Sequence, residues 1–311
     1  MPGFRSLGVP ADADGPALDG AMWYPCREPP GEIDLGKITA DFEITMGGVK
    51  NCPIDGDKLP LVVVSHGKGS HFVLHHDTAE TLADAGFVVA AVNHPGDTVF
   101  DMSRSADPSV MVERPTDITR LIDFMLDASP AASKIDAERI GFFGFSRGAY
   151  TGLVLIGGNP DWASAADFCP QSSFHRCEQI RRKEFPAQPP AYDVRIKAAV
   201  IADPLAVFFT ADSFAAVKVP VQLWASEHGG DGVSPDSVGA VDRSLPAEHE
   251  YRVVPNTGHF AFLIPCPPAL AKARPDVCTD PPGFDRGAFH KRFNADVLAF
   301  FRTHLIQLRL P

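Results

Sequence analysis

Short apolar runs alternate along this chain with segments whose apolar residues recur every three or four positions. The apolar runs indicate buried strands at 61–65, 87–92, 140–145, 196–201, 219–224 and 251–254. Helical spacing is found at 74–85, 115–128 and 149–156, and within the closing segment 284–308. Strands that are apolar on both faces and alternate with helices predict an α/β fold, with a mainly parallel central sheet covered by helices on both faces.

Two segments depart from this alternation. Residues 1–58 are predicted to form an N-terminal β-rich extension, with short strands at 21–24 and 41–46. Residues 157–195 are rich in proline and charge, and a long insertion directly after a helix predicts a cap or lid. The alternative is a surface excursion without a role. The whole chain, residues 1–311, is predicted to be a single domain.

The most informative pattern lies in one turn. Gly144, Ser146 and Gly148 form a Gly-x-Ser-x-Gly sequence between the strand at 140–145 and the helix at 149–156. Small residues on either side of the serine let strand and helix pass closely, and the start of the helix favours negative charge. A strand, a sharp turn of this sequence and a helix form the nucleophile elbow of an α/β-hydrolase. Ser146 is therefore predicted to be a nucleophile, with a chance match of the short pattern as the alternative.

A serine hydroxyl needs a base, and the base needs a carboxylate that orients it. In this fold the three residues follow the order serine, acid, histidine. His259 lies in a Gly-His-Phe loop after the last predicted strand and is the predicted base. The acid is either Asp203, at the end of the strand after the elbow unit, or Asp231 or Glu227, after the next strand. Spacing along the chain leaves both positions open.

Composition narrows the range of partners. The chain has 311 residues and a net charge of −11, with no block of lysine and arginine, so nucleic acid is not an expected partner. No apolar run approaches the ~18 residues that a membrane-spanning helix needs. His71 and His75 are four positions apart, as on one face of a helix, and Asp77 follows, but a zinc site would need further ligands that the sequence does not indicate. No metal or organic cofactor is expected.

The placement of the cysteines favours an oxidising compartment. The six cysteines lie in predicted loops and lack the Cys-x-x-Cys spacing of metal sites. Disulfides are therefore expected to pair Cys169 with Cys177, Cys266 with Cys278 and, as the remaining pair, Cys26 with Cys52. The first residues show no signal peptide, so the expectation is the mature form of a periplasmic or secreted protein. The alternative is a cytoplasmic protein with free thiols.

Four motifs in fixed order carry a family resemblance. They are Val-Ser-His-Gly-Lys-Gly at 64–69, Asn-His-Pro-Gly at 93–96, Gly-Phe-Ser-Arg-Gly at 144–148 and Gly-His-Phe-Ala-Phe-Leu at 258–263. With these motifs the chain resembles the platelet-activating-factor acetylhydrolase family, which includes bacterial proteins called predicted dienelactone hydrolases. The resemblance spans nearly the whole chain, although 157–195 matches only loosely.

The resemblance implies specific roles. It favours Asp203 over Asp231 as the acid, and it implies that the backbone N–H groups of Lys68 and Arg147 bind the oxyanion. True dienelactone hydrolases use a cysteine nucleophile, so Ser146 departs from them and the dienelactone name does not indicate the substrate.

Together these patterns predict a serine carboxylic-ester hydrolase that forms an acyl-enzyme from small or short-acyl esters. The alternatives are lactone opening, amide hydrolysis or acyl transfer with the same three residues, and a binding protein without turnover. Lys68 and Arg147 stand where the family often has apolar residues. The hypothesis is that their side chains attract a carboxylate on the substrate, such as a half-ester; otherwise only their backbone groups matter. The oligomeric state stays open.

Overall fold

A ten-stranded sheet forms the centre of the described part of the molecule. The computed structural model describes residues 2–39, 42–163, 179, 181, 182, 184, 191–246 and 248–306. The strands are β1 (Pro2–Val9), β2 (Leu18–Pro25), β3 (Gly31–Thr39), β4 (Phe42–Lys50), β5 (Leu59–Ser65), β6 (Val88–Val92), β7 (Ile135–Phe145), β8 (Ile196–Ala202), β9 (Val221–Ser226) and β10 (His249–Val254). Across the sheet their order is β10-β9-β8-β7-β5-β6-β2-β1-β4-β3.

Six strands from β10 to β6 run parallel to one another. All side chains of β5, β6 and β9 are buried, as expected where helices cover both faces. Because parallel strands end at the same edge, the residues that follow β5, β7, β8 and β10 are brought together there.

The N-terminal segment widens this sheet. β2 pairs antiparallel with β6, and β1 pairs antiparallel with β2 and parallel with β4. The pattern analysis found parts of β2 and β4 but missed β1 and β3. In β3 only Ile33 and Leu35 of the first six residues are buried, so a single apolar face left too weak a pattern in the sequence.

Seven α-helices lie in the described residues. They are α1 (His76–Asp84), α2 (Ser109–Asp127), α3 (Arg147–Leu155), α4 (Pro235–Ser244), α5 (Pro268–Ala273), α6 (Pro275–Cys278) and α7 (Arg286–Phe301). Apolar residues of α2, α3 and α4 form one core with one face of the sheet, and those of α1 and α7 form a second core on the other face. In β5, Val63 belongs to the first core and Val62 to the second, as side chains that alternate between faces require.

Helix α2 differs from its prediction. It begins at Ser109, six residues before the predicted start, and Pro115 lies inside it. Proline has no backbone N–H to donate and is most common in the first turn of a helix, whereas Pro115 lies in the interior of α2. The earlier start places Arg114 within the helix, where its side chain is buried.

Most of the predicted cap lies outside the described residues, including Cys169 and Cys177 and therefore their expected disulfide. None of the helices that the structure describes has the length and apolar character to cross a membrane.

Helix α7 offers a test of local stability. The Asp285 side chain accepts a hydrogen bond from the backbone N–H of Ala288 at 2.9 Å and caps the helix. We expect Asp285→Ala to lower the free energy of unfolding by about 1 kcal/mol, measured by urea denaturation. Lys291→Ala, an exposed change within the same helix, is the control and should alter it by less than about 0.5 kcal/mol. Equal effects of both changes would contradict the capping role.

Candidate active site

Close packing shapes the turn that carries Ser146. This residue connects β7 to α3 with φ 57° and ψ −117°, a conformation that non-glycine residues rarely adopt. A Cβ atom on Gly144 would lie 2.4 Å from the carbonyl oxygen of Gly148, and one on Gly148 would lie 1.9 Å from the carbonyl oxygen of Ser65. Glycine is therefore required at both positions, and the start of α3 passes directly over the end of β5.

Three predicted site residues meet at the carboxyl edge of the sheet. His259 Nε2 lies 2.9 Å from Ser146 Oγ, and His259 Nδ1 lies 2.7 Å from Asp203 Oδ2. Because Nδ1 faces a carboxylate, it carries the ring proton, which leaves Nε2 free to accept the serine proton. The structure thus brings Ser146, His259 and Asp203 into one hydrogen-bonded series.

Asp203 is held firmly in this series. Its carboxylate is fully buried and accepts hydrogen bonds from the backbone N–H of Ser226 at 2.8 Å and from the Ser226 hydroxyl at 2.7 Å. These bonds compensate the burial of a charged group. The residue has φ 47°, and this local turn after β8 directs its side chain across the end of β9.

His259 is fixed by its backbone and by an aromatic ring. Its N–H donates to the carbonyl oxygen of Gly229 at 2.9 Å, and its ring lies 4.6 Å from that of Phe145, measured between centroids. A Cβ atom on Gly230 would come within 3.2 Å of the His259 Cβ, so the two glycines let the loops approach. Both loops therefore set the position of the imidazole.

The other two acid candidates have different surroundings. Asp231 is exposed and lines the cleft beside Ser146. Glu227 is exposed, and its Oε2 accepts a hydrogen bond from the backbone N–H of Asn256. In this structure the carboxylate that contacts His259 is that of Asp203.

A cleft of about 310 Å³ opens above Ser146. Its lining residues are Gly67, Lys68, Gly69, Ser70, Leu74, Val99, Met102, Phe145, Ser146, Asp231, His259, Phe260, Leu263, Leu270, Arg274, Asp276 and Val277. This volume is at the small end of the range for ligand sites, and the lining combines eight apolar residues with seven polar or charged ones. The cleft therefore suits a small molecule whose reactive group lies near Ser146.

The loop after β5 lies beside the serine. A Cβ atom on Gly67 would lie 3.4 Å from the Ser146 Cβ, which shows how closely the loop approaches. The Gly67 carbonyl oxygen accepts a hydrogen bond from His66 Nδ1 at 2.7 Å. In a trans peptide the C=O and the following N–H point in opposite directions, so the Lys68 N–H points away from the buried His66 ring.

The side chain of Arg147 does not reach the cleft. It is 1% exposed, and its Nη1 donates to Asp97 Oδ2 at 2.7 Å and to the Ser105 carbonyl oxygen at 3.0 Å. The hypothesis that this side chain attracts a substrate carboxylate is therefore wrong. Lys68, in contrast, is exposed and lines the cleft.

A second series of serine, histidine and aspartate lies beneath the first. Ser65 Oγ is 2.9 Å from His94 Nε2, and His94 Nδ1 is 2.9 Å from Asp117 Oδ2. Burial, followed by the Arg114 guanidinium, lowers the pKa of His94 well below its ordinary value. His94 is therefore neutral, donates from Nδ1 to Asp117 and accepts the Ser65 hydroxyl proton at Nε2.

Access to substrate distinguishes the two serines. Ser65 is fully buried, and its oxygen also accepts a hydrogen bond from Arg114 Nη2 at 3.3 Å. Ser146 is 5% exposed, lines the cleft and begins a helix. Only Ser146 of the two has room beside it for a reacting group.

Sequence reasoning missed the buried polar groups around Ser65. They are Ser65, His66, His94, Asp97, Arg114, Asp117 and Arg147, which we call the buried polar network. A signal was present, because Arg114 and Asp117 interrupt the apolar face of a helix, and Asp97 follows the Asn-His-Pro-Gly motif directly. Charged residues are almost never fully buried unless they are paired, so their partners had to be sought far along the chain.

Comparisons with known proteins bear on the family and the fold of the chain. The sequence profile of the family "Platelet-activating factor acetylhydrolase, isoform II" matches residues 40–107, which include the loop after β5 and the motif after β6. A ferulic acid esterase from Streptomyces cinnamoneus has a similar structure, with a TM-score of 0.66 and 19% identity over 100% of this chain and 93% of that chain. The chain has the α/β-hydrolase fold, and over residues 40–107 it resembles the platelet-activating factor acetylhydrolases.

A second solved structure supports the fold of this α/β-hydrolase. A dienelactone hydrolase from Anabaena variabilis ATCC 29413 matches with a TM-score of 0.55 and 14% identity, over 98% of this chain and 99% of that chain. No curated protein sequence matches the chain. The fold class is thus confirmed, and the family resemblance is confirmed for residues 40–107.

A disulfide closes one wall of the cleft in the α/β-hydrolase. Cys266 bonds to Cys278, and the segment between them carries four lining residues, Leu270, Arg274, Asp276 and Val277. Arg286 supports the segment from α7, because its Nη2 donates to the carbonyl oxygen of Val277 at 3.0 Å. A second disulfide joins Cys26 to Cys52 in the N-terminal extension. These two predicted pairs are confirmed.

The histidines considered as zinc ligands have other partners. His71 Nδ1 accepts a hydrogen bond from the backbone N–H of Val73, and Asp77 Oδ2 accepts one from His290 Nδ1 at 2.6 Å. His75 packs between the rings of Phe143 and Phe145. Within the described part of the chain, no group of three such side chains is arranged to hold a metal ion.

The disulfide at the cleft gives a further prediction. Cys266→Ser with Cys278→Ser should lower the free energy of unfolding by about 3 kcal/mol, because the unfolded chain loses a closed loop. It should also speed tryptic cleavage after Lys272, since the loop that holds this residue is no longer closed. Gel analysis and mass spectrometry of timed digests measure this. The control, Cys26→Ser with Cys52→Ser, should lower stability without faster cleavage there. Equal cleavage in both variants would contradict a local role of the disulfide.

Proposed function

We propose that this α/β-hydrolase is a serine carboxylic-ester hydrolase that acts on small or short-acyl esters. The main observation in support is the hydrogen-bonded series Ser146–His259–Asp203, with Ser146 at the floor of an open cleft. A nucleophile, a base within 2.9 Å of it and a carboxylate that orients the base are the components that acyl transfer needs. The two proteins of similar structure, a ferulic acid esterase and a dienelactone hydrolase, fit the same reaction class by name.

The first chemical step forms an acyl-enzyme. His259 Nε2 takes the hydroxyl proton as Ser146 Oγ attacks the ester carbonyl carbon, and Asp203 stabilises the imidazolium through Nδ1–H. The tetrahedral oxyanion accepts hydrogen bonds from the backbone N–H groups of Lys68 and Arg147. Among the described residues neither N–H has another acceptor, so both are available to the oxyanion.

The first step ends when His259 gives its proton to the leaving alcohol, and the acyl group stays on Ser146. The second step returns the enzyme to its starting state. A water molecule then attacks the acyl carbon while His259 Nε2 takes a proton from it. As the second tetrahedral intermediate collapses, His259 gives this proton to Ser146 Oγ and the acid is released. All proton transfers use one imidazole nitrogen, which the hydrogen bond from Nδ1 to Asp203 keeps in place.

Lactone opening is the second candidate reaction. It uses the same steps, except that the leaving alcohol stays attached to the acyl group until hydrolysis. The observation in its favour is the structural similarity to a dienelactone hydrolase. Ester and lactone panels compared by kcat/KM distinguish the two reactions.

Lys68 remains the candidate for recognising a negatively charged half-ester. Its side chain is exposed at the cleft, and no carboxylate of the described residues pairs with it. The other basic residue of the lining, Arg274, pairs with Asp276 at 2.8 Å. The proposal for anionic substrates therefore depends on Lys68 alone.

We also propose that the protein works in an oxidising compartment, either the periplasm or the extracellular space. Both cysteine pairs that the structure describes are disulfide-bonded, and such bonds persist where thiols are not kept reduced.

Covalent labelling tests the nucleophile. A fluorophosphonate probe should label wild-type protein at Ser146, as located by mass spectrometry, because the activated hydroxyl attacks phosphorus and the oxyanion site holds the product. Ser146→Ala should lose the label and lower kcat at least about 10⁴-fold. The matched control is Ser65→Ala, in which any label should still map to Ser146. A folded wild-type protein that resists labelling and turns over no ester would overturn the proposed function and favour a binding protein.

Charge selectivity tests the role of Lys68. We compare kcat/KM for a neutral diester and its anionic monoester. Lys68→Met should lower the value for the monoester about fivefold more than for the diester, because an exposed charge contributes on the order of 1 kcal/mol. Arg147→Met should change both values by the same factor, since its side chain lies outside the cleft. The control Lys291→Met, exposed on α7, should change neither. A selective loss in Arg147→Met, or none in Lys68→Met, would contradict this assignment.

A further inference from the structure

The carboxylate of Asp97 joins three separate segments beneath the cleft. This residue follows β6, is fully buried and accepts three hydrogen bonds. Its Oδ2 faces Arg114 Nη1 at 2.6 Å and Arg147 Nη1 at 2.7 Å. Its Oδ1 accepts the backbone N–H of Gly69 at 3.0 Å. One side chain therefore connects the loop after β5, helix α2 and the start of α3.

On one side, these contacts fix the peptide groups around Lys68. The Lys68–Gly69 peptide is held by Asp97 through the Gly69 N–H, and the Gly67–Lys68 peptide is held by His66 through the Gly67 carbonyl oxygen. Arg114, itself paired with Asp97, donates from Nη2 to the carbonyl oxygen of His66. The direction of the Lys68 N–H is therefore determined by groups that lie on the buried side of the loop.

On the other side, Asp97 holds the residue that follows Ser146. Arg147 is the first residue of α3, and its guanidinium is anchored to Asp97 and to the carbonyl oxygen of Ser105. The Lys68 and Arg147 N–H groups are 79 positions apart in the chain. Asp97 nevertheless contacts both segments, through the N–H of the neighbouring Gly69 and through the Arg147 side chain. Their separation therefore depends on this carboxylate.

This arrangement is not the one that stability alone would favour. Two guanidinium groups share one carboxylate, and Arg114 Nε, Arg147 Nε and Arg147 Nη2 are buried without a hydrogen-bond partner among the described residues. Burying charges and unpaired donors costs free energy, and well-packed apolar residues are often as stabilising. Burial raises the pKa of Asp97, but Arg114 and Arg147 outweigh this effect and hold the pKa at about 2, so the carboxylate stays charged.

We propose that Asp97 is a positioning residue of the oxyanion site, which sets the backbone N–H groups of Lys68 and Arg147 at the spacing that the oxyanion requires. The inference rests on the proposed function, because it assumes that these two groups bind the oxyanion. Asp97 itself lines no part of the cleft and touches no substrate. It acts through Gly69 and Arg147, and loss of one oxyanion donor typically costs 10²–10³-fold in kcat.

Hydrogen–deuterium exchange tests the positioning without any need for turnover. Asp97→Asn keeps an oxygen for the Gly69 N–H but removes the charge that holds both arginines. We expect amide exchange in peptides covering 65–70 and 146–150 to become at least about tenfold faster than in wild type. The matched control is Asp136→Asn, which removes a carboxylate partner of Arg139 near the start of β7. This control should leave both peptides at the wild-type rate.

Kinetics on a short-chain p-nitrophenyl ester test the consequence. Asp97→Asn should lower kcat about 10²-fold while KM changes less than about threefold, because ground-state binding in the cleft is kept and the oxyanion is not. Asp136→Asn should keep both constants within about twofold of wild type. A purely structural role would instead lower the folded fraction, which thermal melting measures, and leave kcat per folded molecule unchanged.

A second variant covers the case in which Asp97→Asn does not fold. Arg147→Met removes one guanidinium, leaves Asp97 paired with Arg114 and keeps the backbone N–H of residue 147. It should lower kcat at least about tenfold, again with little change in KM, and speed exchange at 146–150. Wild-type exchange rates together with wild-type kcat in either folded variant would overturn the proposal. If wild-type protein hydrolyses no ester at all, the proposed function fails, and the exchange comparison alone decides whether Asp97 orders the two loops.

Discussion

The close approach of the β7–α3 turn to the end of β5 is the constraint on which the site depends. A Cβ atom at Gly148 would overlap the Ser65 carbonyl oxygen, so the helix start and the strand end touch through backbone atoms alone. This contact forces Ser146 into an unusual conformation and brings Gly67 against it. The same contact therefore positions both the proposed nucleophile and the proposed oxyanion loop. The surrounding core maintains the strained conformation of Ser146.

The two serine–histidine–aspartate series show that hydrogen-bond geometry does not by itself define a reactive serine. Ser65–His94–Asp117 has the same partner atoms and nearly the same distances as Ser146–His259–Asp203. The differences lie in the surroundings. Ser65 is fully buried and contacts Arg114, whereas Ser146 faces a cleft and lies at the start of a helix. Reactivity requires space for the acyl group and donors for the oxyanion, and of the two serines only Ser146 has the cleft and the helix start beside it.

Local sequence was enough to locate Ser146 and His259, because each lies in a short turn with glycine at fixed spacing. Asp203 needed the family resemblance, since Asp203 and Asp231 both follow strands, and only the three-dimensional course of each loop shows which one reaches His259. The side chain of Arg147 was misjudged for a related reason. An arginine in a turn is usually solvated, and its partner Asp97 lies 50 positions away. Strand β3 was missed because it lies at the edge of the sheet and shows little apolar periodicity. Strand β1 lies inside the sheet and was missed because Pro2, Gly3 and Gly8 are residue types that strands disfavour.

The buried polar network and the apolar core have different roles in this fold. Dispersion and apolar burial hold the sheet to its helices, but such contacts are non-directional and leave a loop free to adjust by fractions of an ångström. An oxyanion donor works only if its N–H already points at the developing charge, so that no reorganisation is needed during the reaction. Ionic hydrogen bonds are directional, and a low-dielectric interior strengthens them. Asp97, Arg114 and His66 beneath the loop thus fix the orientation of its N–H groups at a cost in folding stability. This accounts for the buried carboxylate of Asp97 in a core that is otherwise apolar.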